Sequence, residues 1–216
     1  MQSASAPRFP LRPARVHEVF GPSALGFAAV AAASVPGNLL WIFESWHTDL
    51  PLPPGLVAFL DPARLLIART PDQTDSLAVA EEALKDGAAP FVVIELTRPL
   101  DLREGRRLQL AAKAGGTTGL CLIPQGMGSN AAETRWHATP LFDAAQQDST
   151  LMRWEIKKNK AGTFGVWDVR WESQTRRLHV VSAPGLGAGS AGASAGRAFR
   201  ADPEPAQYRP SALPEP

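Results

Sequence analysis

The sequence is poor in several features that define whole classes of protein. It has a single cysteine, Cys121, among 216 residues, which excludes a disulfide framework and any cysteine-rich zinc or iron–sulfur site. No run reaches the roughly 18 apolar residues that a membrane-spanning helix requires. The 22 lysines and arginines nearly balance the 21 acidic residues, which argues against a strongly basic nucleic-acid-binding protein. Because no secretory leader pattern is present either, we expect a cytoplasmic protein with no membrane partner.

The composition changes towards both ends of the chain. Apolar residues make up 44% and charged residues 20% of the sequence, so a sizeable core can form. In contrast, 20 of the 34 residues in 183–216 are Ala, Gly or Pro, and such a stretch buries too little apolar surface to offset its ordering entropy. We therefore predict a flexible lead-in at residues 1–14, one folded domain at 15–182 and a disordered tail at 183–216.

Short apolar runs alternate with helical patterns up to about residue 132. Val16–Phe20 predicts a strand, Ala24–Ala33 a helix, and the runs Asn38–Phe43 and Leu65–Ala68 predict strands covered on both faces. The further predicted elements are helix Thr74–Lys85, strand Phe91–Ile94, a helix after Asp101 with Leu102, Leu108 and Ala112 facing the sheet, and strand Thr118–Ile123. This alternation indicates βαβ units and a mostly parallel sheet.

The rest of the folded region follows a different pattern. It contains four strand-like segments joined by turn-like links, namely Thr134–Ala138, Leu151–Lys158, Gly165–Trp171 and Arg177–Val181. The period-two spacing of Trp167 and Trp171 predicts that both indoles lie on a buried face. The predicted fold class is therefore α/β, with a mostly parallel sheet extended by an antiparallel C-terminal meander.

The turn after the first strand has the glycine spacing of a phosphate-binding loop. It reads Gly21-Pro22-Ser23-Ala24-Leu25-Gly26-Phe27-Ala28, and it lies between a predicted strand and a predicted helix. Such a loop also needs a lysine for the phosphates and a hydroxyl for Mg²⁺, but Phe27 and Ala28 occupy those positions.

Alone, the octapeptide favours a tight turn with no ligand, whereas its context favours a degenerate nucleotide loop made of Gly21, Pro22, Ser23, Gly26, Phe27 and Ala28. On the second interpretation, Phe27→Lys with Ala28→Thr is expected to recover part of the nucleotide binding.

Three lysines lie within four residues at a predicted turn. Lys157, Lys158 and Lys160 are expected to be exposed whatever the strand register, as contacts for an acidic partner surface or for phosphates. Replacing all three is then expected to leave the fold intact. Basic residues interleaved with aromatics can also bind single strands by charge and stacking. The alternative is that the aromatics form the buried face of the meander and the charges its solvated face.

The other reactive side chains indicate no catalytic or metal site. The four histidines, His17, His47, His137 and His179, have no ligand spacing, so no metal is expected. Cys121 lies in an apolar run and is expected to be a buried thiol. Asp72 and Asp75 are explained by capping of a helix start.

Several segments occur in an order found in a known family. Val16–Pro22 enters the loop, and the further segments are Asp61–Arg69, Pro71-Asp72, Ser76–Leu84, Arg106–Ala112, Thr134–Trp136 and Lys158–Ala161. Their order resembles the RecA-like ATPase core and, within it, the ImuA family, the RecA-related member of a bacterial SOS mutagenesis cassette.

The resemblance implies a RecA-like P-loop-type core and roles for particular residues. Glu95 takes the place of the Walker B aspartate, and Glu44 lies near the position of the RecA catalytic glutamate. Lys158 and Lys160 match a segment near the RecA subunit interface. The connection Thr97–Asp101 is too short for the first DNA-binding loop of RecA. With Phe27 in the loop, we expect no catalytic residue, no cofactor and no ATP hydrolysis.

The function that the resemblance implies is that of a non-catalytic accessory protein of the SOS response. It would support error-prone translesion DNA synthesis by docking with an ImuB-type polymerase homologue, RecA or a DnaE-type polymerase, in the cytoplasm and at the nucleoid during DNA damage. Two alternatives remain open. One is an ATPase gated by ATP and Mg²⁺ that uses Glu44, Glu95 and a lysine such as Lys158 supplied in trans. The other is a single-stranded-DNA-binding module.

Overall fold

The computed structural model describes residues 11–47, 53–143 and 149–182. In these ranges the strands are β1 Val16–Phe20, β2 Leu39–Glu44, β3 Leu65–Thr70, β4 Phe91–Glu95, β5 Thr118–Leu122, β6 Thr134–Pro140, β7 Ser149–Asn159, β8 Val166–Glu172 and β9 Arg177–Ser182. The helices are α1 Ala24–Ala33, the short α2 Pro53–Leu56, α3 Gln73–Asp86 and α4 Leu102–Gly115, with a 3₁₀ turn at Pro62–Arg64. No helix in the described ranges has the length and hydropathy of a membrane span.

The strands form one sheet with the order β3-β2-β4-β5-β1-β6-β7-β8-β9. The pairs from β3 to β6 are parallel, whereas β6–β7, β7–β8 and β8–β9 are antiparallel. This confirms the predicted α/β class, with a mostly parallel sheet and an antiparallel C-terminal meander. The short connections within the meander permit antiparallel neighbours, while each parallel neighbour needs a crossover segment.

The two faces of the sheet carry separate apolar clusters. On one face, Trp41 and Phe43 of β2 belong to a cluster with α1 and the meander. On the other face, Ile42 belongs to a cluster with α3 and α4. Successive strand residues point to opposite faces, so a single strand contributes to both clusters. This explains the near-continuous apolar sequence of β2.

Helices α3 and α4 begin and end at the residues that the sequence favours. The Asp72 carboxylate accepts a hydrogen bond from the Asp75 amide, 3.0 Å away, and Asp101 with Glu104 forms a reciprocal capping box. Both helices end at a glycine in the left-handed conformation, Gly87 and Gly116. The capping predictions are therefore confirmed.

Two predicted burials are wrong. Strand β3 lies at the edge of the sheet, where Leu66 is 48% and Ile67 47% exposed, because strand order and not local sequence decides which strand has two neighbours. Leu102 is 49% exposed, because the first turn of α4 turns that side chain away from the sheet, whereas Leu108 and Ala112 are buried as predicted.

The predicted domain boundaries stay predictions. The tail at 183–216 lies outside the described residues, as do residues 1–10. Within the predicted lead-in, Leu11 packs against the α1 cluster, and Arg12 forms an ion pair with Glu133 at 3.1 Å. Residues 11 and 12 therefore contact the folded region.

Candidate functional site

The predicted nucleotide loop closes against the neighbouring strand β6. Gly21 has a φ of +103°, and a Cβ at this position would lie 2.5 Å from the Ala138 carbonyl oxygen, so only glycine fits. The Ser23 amide, at the start of α1, donates to the same Ala138 oxygen at 3.1 Å. The Ala24 amide donates to the Gly21 oxygen at 3.0 Å. These two amides are therefore used within the protein, whereas a phosphate loop directs its amides at the anion.

The two positions that would hold the lysine and the hydroxyl belong to the apolar core. Phe27 and Ala28 are both fully buried. The Phe27 ring centroid lies 4.5 Å from that of Trp154 and 5.4 Å from that of Trp136. These residues do not fit ATP and Mg²⁺ in the manner of the RecA core, because the cation is replaced by an aromatic ring pointing away from the loop. The expectation that Phe27→Lys with Ala28→Thr recovers binding stays a prediction, and the structure adds that this change would place an ammonium among indoles.

Glu95 is placed at the carboxyl end of β4, on the same face as α1. Its Oε1 accepts a hydrogen bond from Trp41 Nε1 at 2.6 Å, and its Oε2 lies 3.5 Å from His47 Nδ1. Glu44, at the end of the neighbouring strand β2, accepts hydrogen bonds from Thr97 Oγ1 at 2.5 Å and from Trp46 Nε1 at 2.6 Å.

The two carboxylates belong to opposite faces of the sheet. Ile94 pairs with Ile42, so Glu95 is opposite Phe43 and follows the α1 face, while Glu44 follows the face of Ile42. The Glu44 contact with Thr97 lies next to Gln73 of α3. The two carboxylates therefore have different partners, and each accepts a hydrogen bond from a tryptophan N–H.

Two of the three lysines predicted to be exposed donate hydrogen bonds to the backbone of residues 129–132. Lys158 Nζ donates to the carbonyl oxygens of Ser129, Asn130 and Ala132 at 3.2, 2.7 and 2.7 Å, and Lys160 Nζ donates to that of Ala131 at 2.6 Å. The prediction that all three lysines are freely exposed is wrong for Lys158, which is half-buried. Burial and the nearby Lys160 lower the pKa of Lys158.

Lys157 has a different environment from its two neighbours. It is exposed, and its Nζ donates to Glu155 Oε1 at 2.6 Å. Of the three lysines, Lys157 and Lys160 are therefore exposed as predicted, and Lys158 is not. The turn of residues 129–132, held by Lys158 and Lys160, is named the clamped turn below.

The loop and the lysines lie at opposite edges of the sheet. Gly21 follows the carboxyl end of β1, whereas Lys158 pairs with Arg135 near the start of β6, and β6 runs parallel to β1. Within one chain the structure therefore does not bring the lysines to the loop or to Glu95. In the ATPase alternative, Lys158 reaches the nucleotide of a neighbouring chain. It would then have to break its hydrogen bonds to three carbonyl oxygens.

Two buried polar residues in β1 were missed by the sequence analysis. Glu18 accepts hydrogen bonds from the Ser129 amide and from Arg135 Nε, both at 2.8 Å. The only sequence signal was a charged residue within the apolar strand Val16–Phe20. This buried ion pair fixes the start of the clamped turn to β1.

His17, next to Glu18, is fully buried and neutral. Its Nδ1 lies 2.7 Å from Thr134 Oγ1, and its Nε2 lies 2.9 Å from the Arg12 carbonyl oxygen. Because a carbonyl oxygen only accepts, Nε2 carries the proton and Nδ1 accepts from the threonine hydroxyl. Burial lowers the pKa of His17 to about 4.

The tryptophans of the meander are core residues. Trp154 and Trp171 are buried, and Trp167 packs against the same cluster. Trp171 Nε1 donates to the Ala58 carbonyl oxygen at 2.8 Å. This confirms the predicted burial of Trp171, whereas Trp167 is half-buried. Phe164 is 63% exposed.

The remaining candidate side chains are the possible metal ligands and Cys121. Among the described residues, no group of three His, Cys, Asp or Glu side chains could hold a metal ion. Cys121 is buried, as predicted, and burial raises the pKa of its thiol. A buried thiol with a raised pKa has little thiolate character and is a poor nucleophile.

Comparison with known proteins shows similarity to two proteins of the same name. The chain is 30% identical over 148 residues to Protein ImuA of Caulobacter vibrioides, with the same values for proteins from two strains. The match covers 61% of this chain and 59% of the relative, so the chain spans about three fifths of the length of the curated relatives that it matches. This similarity supports an ImuA-like family. No protein-family model matches the chain.

Proposed function

We propose that this chain is a non-catalytic, RecA-like accessory protein of the SOS response. It supports error-prone translesion DNA synthesis by docking with an ImuB-type polymerase homologue, and RecA and a DnaE-type polymerase are its further partners. The pathway assignment is supported by the similarity to Protein ImuA and by the order of segments that resembles the ImuA family. The strand order of the sheet is compatible with a RecA-like core.

The burial of Phe27 carries the non-catalytic part of the proposal. In a phosphate loop the lysine places a positive charge on the terminal phosphates. Here the side chain at that position lies among Trp136 and Trp154, and the Ser23 amide is bound to Ala138. Loss of a single preorganised donor typically reduces a rate by about 10²–10³. Because the loop lacks its lysine and the Ser23 amide is bonded to Ala138, we do not expect this chain to hydrolyse ATP.

Calorimetry and turnover assays test the nucleotide part. The full chain is titrated with ATP and Mg²⁺, and phosphate release is followed with and without single-stranded DNA. We expect neither binding at micromolar affinity nor turnover above a blank. Turnover that is abolished by Glu95→Gln would restore the ATPase alternative.

A direct binding measurement tests the docking part. The purified chain is presented to the ImuB-type homologue of the same organism, to RecA and to the DnaE-type polymerase, with serum albumin as the control. We expect saturable binding to the ImuB-type homologue. If none of the three proteins binds, the docking function is wrong.

A further inference from the structure

The outer face of α4 and the clamped turn enclose an open groove. The groove has a volume of about 490 Å³. Leu102, Arg106 and Leu110 of α4 form one wall, Ala131 of the clamped turn lies on the other, and Lys160 contributes from the meander. This surface, named the α4 groove below, is separate from the nucleotide loop, which follows the opposite end of β1.

Both walls of the α4 groove are held in fixed positions. Gln109, on α4, donates from Nε2 to the Val16 and Ala131 carbonyl oxygens at 2.7 and 3.1 Å. Gly105 lets α4 approach the clamped turn closely, since a Cβ there would lie 2.7 Å from both Ala131 Cβ and Ser129 Oγ. With the lysine contacts described above, these bonds make a rigid surface. A preformed surface loses little conformational entropy when a partner binds.

Two leucines in this groove are open to solvent. Leu102 is 49% and Leu110 68% exposed. They are eight residues apart on one helix, which separates them by about 12 Å along its axis. Arg106 lies between them on the same face. Two apolar side chains at this distance match the anchor spacing of an amphipathic helix that lies along a groove.

Part of the positive charge on the outer face of α4 has no acidic partner among the described residues. Arg107 forms an ion pair with Glu81, and Arg98 before the helix pairs with Glu104. In contrast, Arg103, Arg106 and Lys113 are exposed and form no ion pair within the described residues. No acidic side chain lines the groove. A partner that covers it must therefore supply negative charge as well as apolar side chains.

We infer that the α4 groove binds an acidic amphipathic helix of a partner protein. The apolar side chains of that helix lie on Leu102 and Leu110, and its carboxylates face Arg106, Arg103 and Lys160. Single-stranded nucleic acid fits less well, because its bases need aromatic stacking platforms and no aromatic side chain lines the groove. The inference rests on the proposed docking function and assigns the chemistry of the docked segment.

The test uses the full chain and a defined probe. The probe is a fluorescent peptide of about 18 residues with leucines at i, i+4 and i+7 of a helix and glutamates on its flanks. A scrambled peptide of the same composition is the probe control. The groove variant is Arg106→Glu with Leu110→Ser. The matched control variant is Lys85→Glu with Leu66→Ser, which changes one exposed cation and one exposed leucine on other surfaces. Urea unfolding verifies that both variants are folded.

We expect the wild-type chain to bind the acidic peptide in preference to the scrambled one. The groove variant loses at least tenfold in affinity, and the control variant binds as the wild type does. Affinity falls with added salt, because exposed charges are screened. Equal binding by the groove variant and the wild type, or no binding of the peptide to the wild type, overturns the inference.

Three further measurements separate the rival occupants and the proposed function. Tighter binding of single-stranded DNA than of the peptide, lost in the groove variant, would assign the groove to nucleic acid and overturn the inference. A dimer in sedimentation that is lost in the groove variant would assign the groove to a second copy of this chain and overturn the inference.

If the ImuB-type homologue binds the wild type and the groove variant equally, this inference fails while the docking function stands. If no partner protein binds but the peptide result is as expected, the docking function with those partners fails and the groove chemistry stands.

Discussion

The ring of Phe27 lies 4.5 Å from the ring of Trp154, at an interplanar angle of 56°. This contact joins the first helix of the parallel core to the second strand of the antiparallel meander. It places the residue after the second loop glycine in the middle of the protein. The residue that follows the loop therefore packs the parallel part of the sheet against the antiparallel meander.

The first prediction concerns a return to the phosphate-loop sequence. Phe27→Lys with Ala28→Thr should lower the free energy of unfolding by at least about 3–5 kcal/mol, the usual cost of truncating a buried Phe, because it also buries a charge. Urea unfolding measures this loss. Leu25→Lys on the same helix is the control, since Leu25 is 47% exposed, and it should change stability little. A stable double variant that binds ATP would contradict the core position of Phe27.

The second prediction separates the three lysines. Lys158→Met should cost about 1–3 kcal/mol of stability, because carbonyl oxygens of the clamped turn lose their donor. Lys157→Met should change stability by less than about 1 kcal/mol, since its ion pair with Glu155 is at the surface. Chemical unfolding of both variants gives the comparison. Equal effects would mean that the contacts of Lys158 contribute nothing.

It follows that a triple change of Lys157, Lys158 and Lys160 to glutamate is not a neutral probe of binding. The expectation from sequence that such a variant keeps its fold intact is replaced by a prediction of lower stability. Lys157→Glu alone remains a clean charge reversal for partner assays.

The third prediction concerns the buried ion pair of β1. Glu18→Gln should destabilise the protein by about 3–5 kcal/mol, because it leaves Arg135 next to a neutral group in a buried site. Glu155→Gln, which removes the surface partner of Lys157, is the matched control and should cost less than about 1 kcal/mol. Thermal and urea unfolding should agree on this order. The reverse order would show that the Glu18 carboxylate is not the attachment point of the clamped turn.

The fourth prediction concerns acid sensitivity. The pKa of His17 is lowered from 6.5 to about 4 in the folded chain, so the unfolded chain binds the proton first as the pH falls. Stability from this group is fully present above about pH 6.5 and declines between pH 6.5 and 4, by a total of about 3 kcal/mol. Urea midpoints measured across this range should show the decline.

His17→Gln tests the origin of that decline. Glutamine keeps a donor and an acceptor but does not titrate, so the variant should be less sensitive to pH between 6.5 and 4. Leu25→Gln, at an exposed position of α1, is the control and should keep the wild-type profile. If His17→Gln also keeps that profile, another group is responsible.

The elements were largely predictable, because each is encoded by local periodicity. The predicted strand Val16–Phe20 and helix Ala24–Ala33 have the observed bounds, and the Asp101 capping box is as predicted. The edge position of β3 was not predictable from its own residues. A run such as Leu65–Ala68 reads alike in a central and an edge strand, and the order of the whole sheet decides between them.

The site was less predictable, because it depends on contacts between distant segments. Sequence indicated that Phe27 is unsuited to phosphate, but not that it packs on Trp154 of the meander. The three lysines read as one cationic turn, while in the structure Lys158 binds carbonyl oxygens up to 29 residues away. A lysine ammonium has three donors and can bond either backbone carbonyls or carboxylates, and spacing alone does not distinguish the two.

The apolar surroundings of α1 have a consequence for regulation. In a protein regulated by a nucleotide, the conformation of the turn at the start of this helix depends on whether a phosphate is bound, and the affinity for partners changes with it. Here the Ser23 amide in this turn is bonded to the Ala138 carbonyl, and Phe27 of the helix packs in the indole cluster. Under the proposed function, ATP hydrolysis in this chain therefore does not trigger the release of a partner. The lifetime of a complex is then set by its dissociation rate, and the amount of complex by how much of the protein the cell makes.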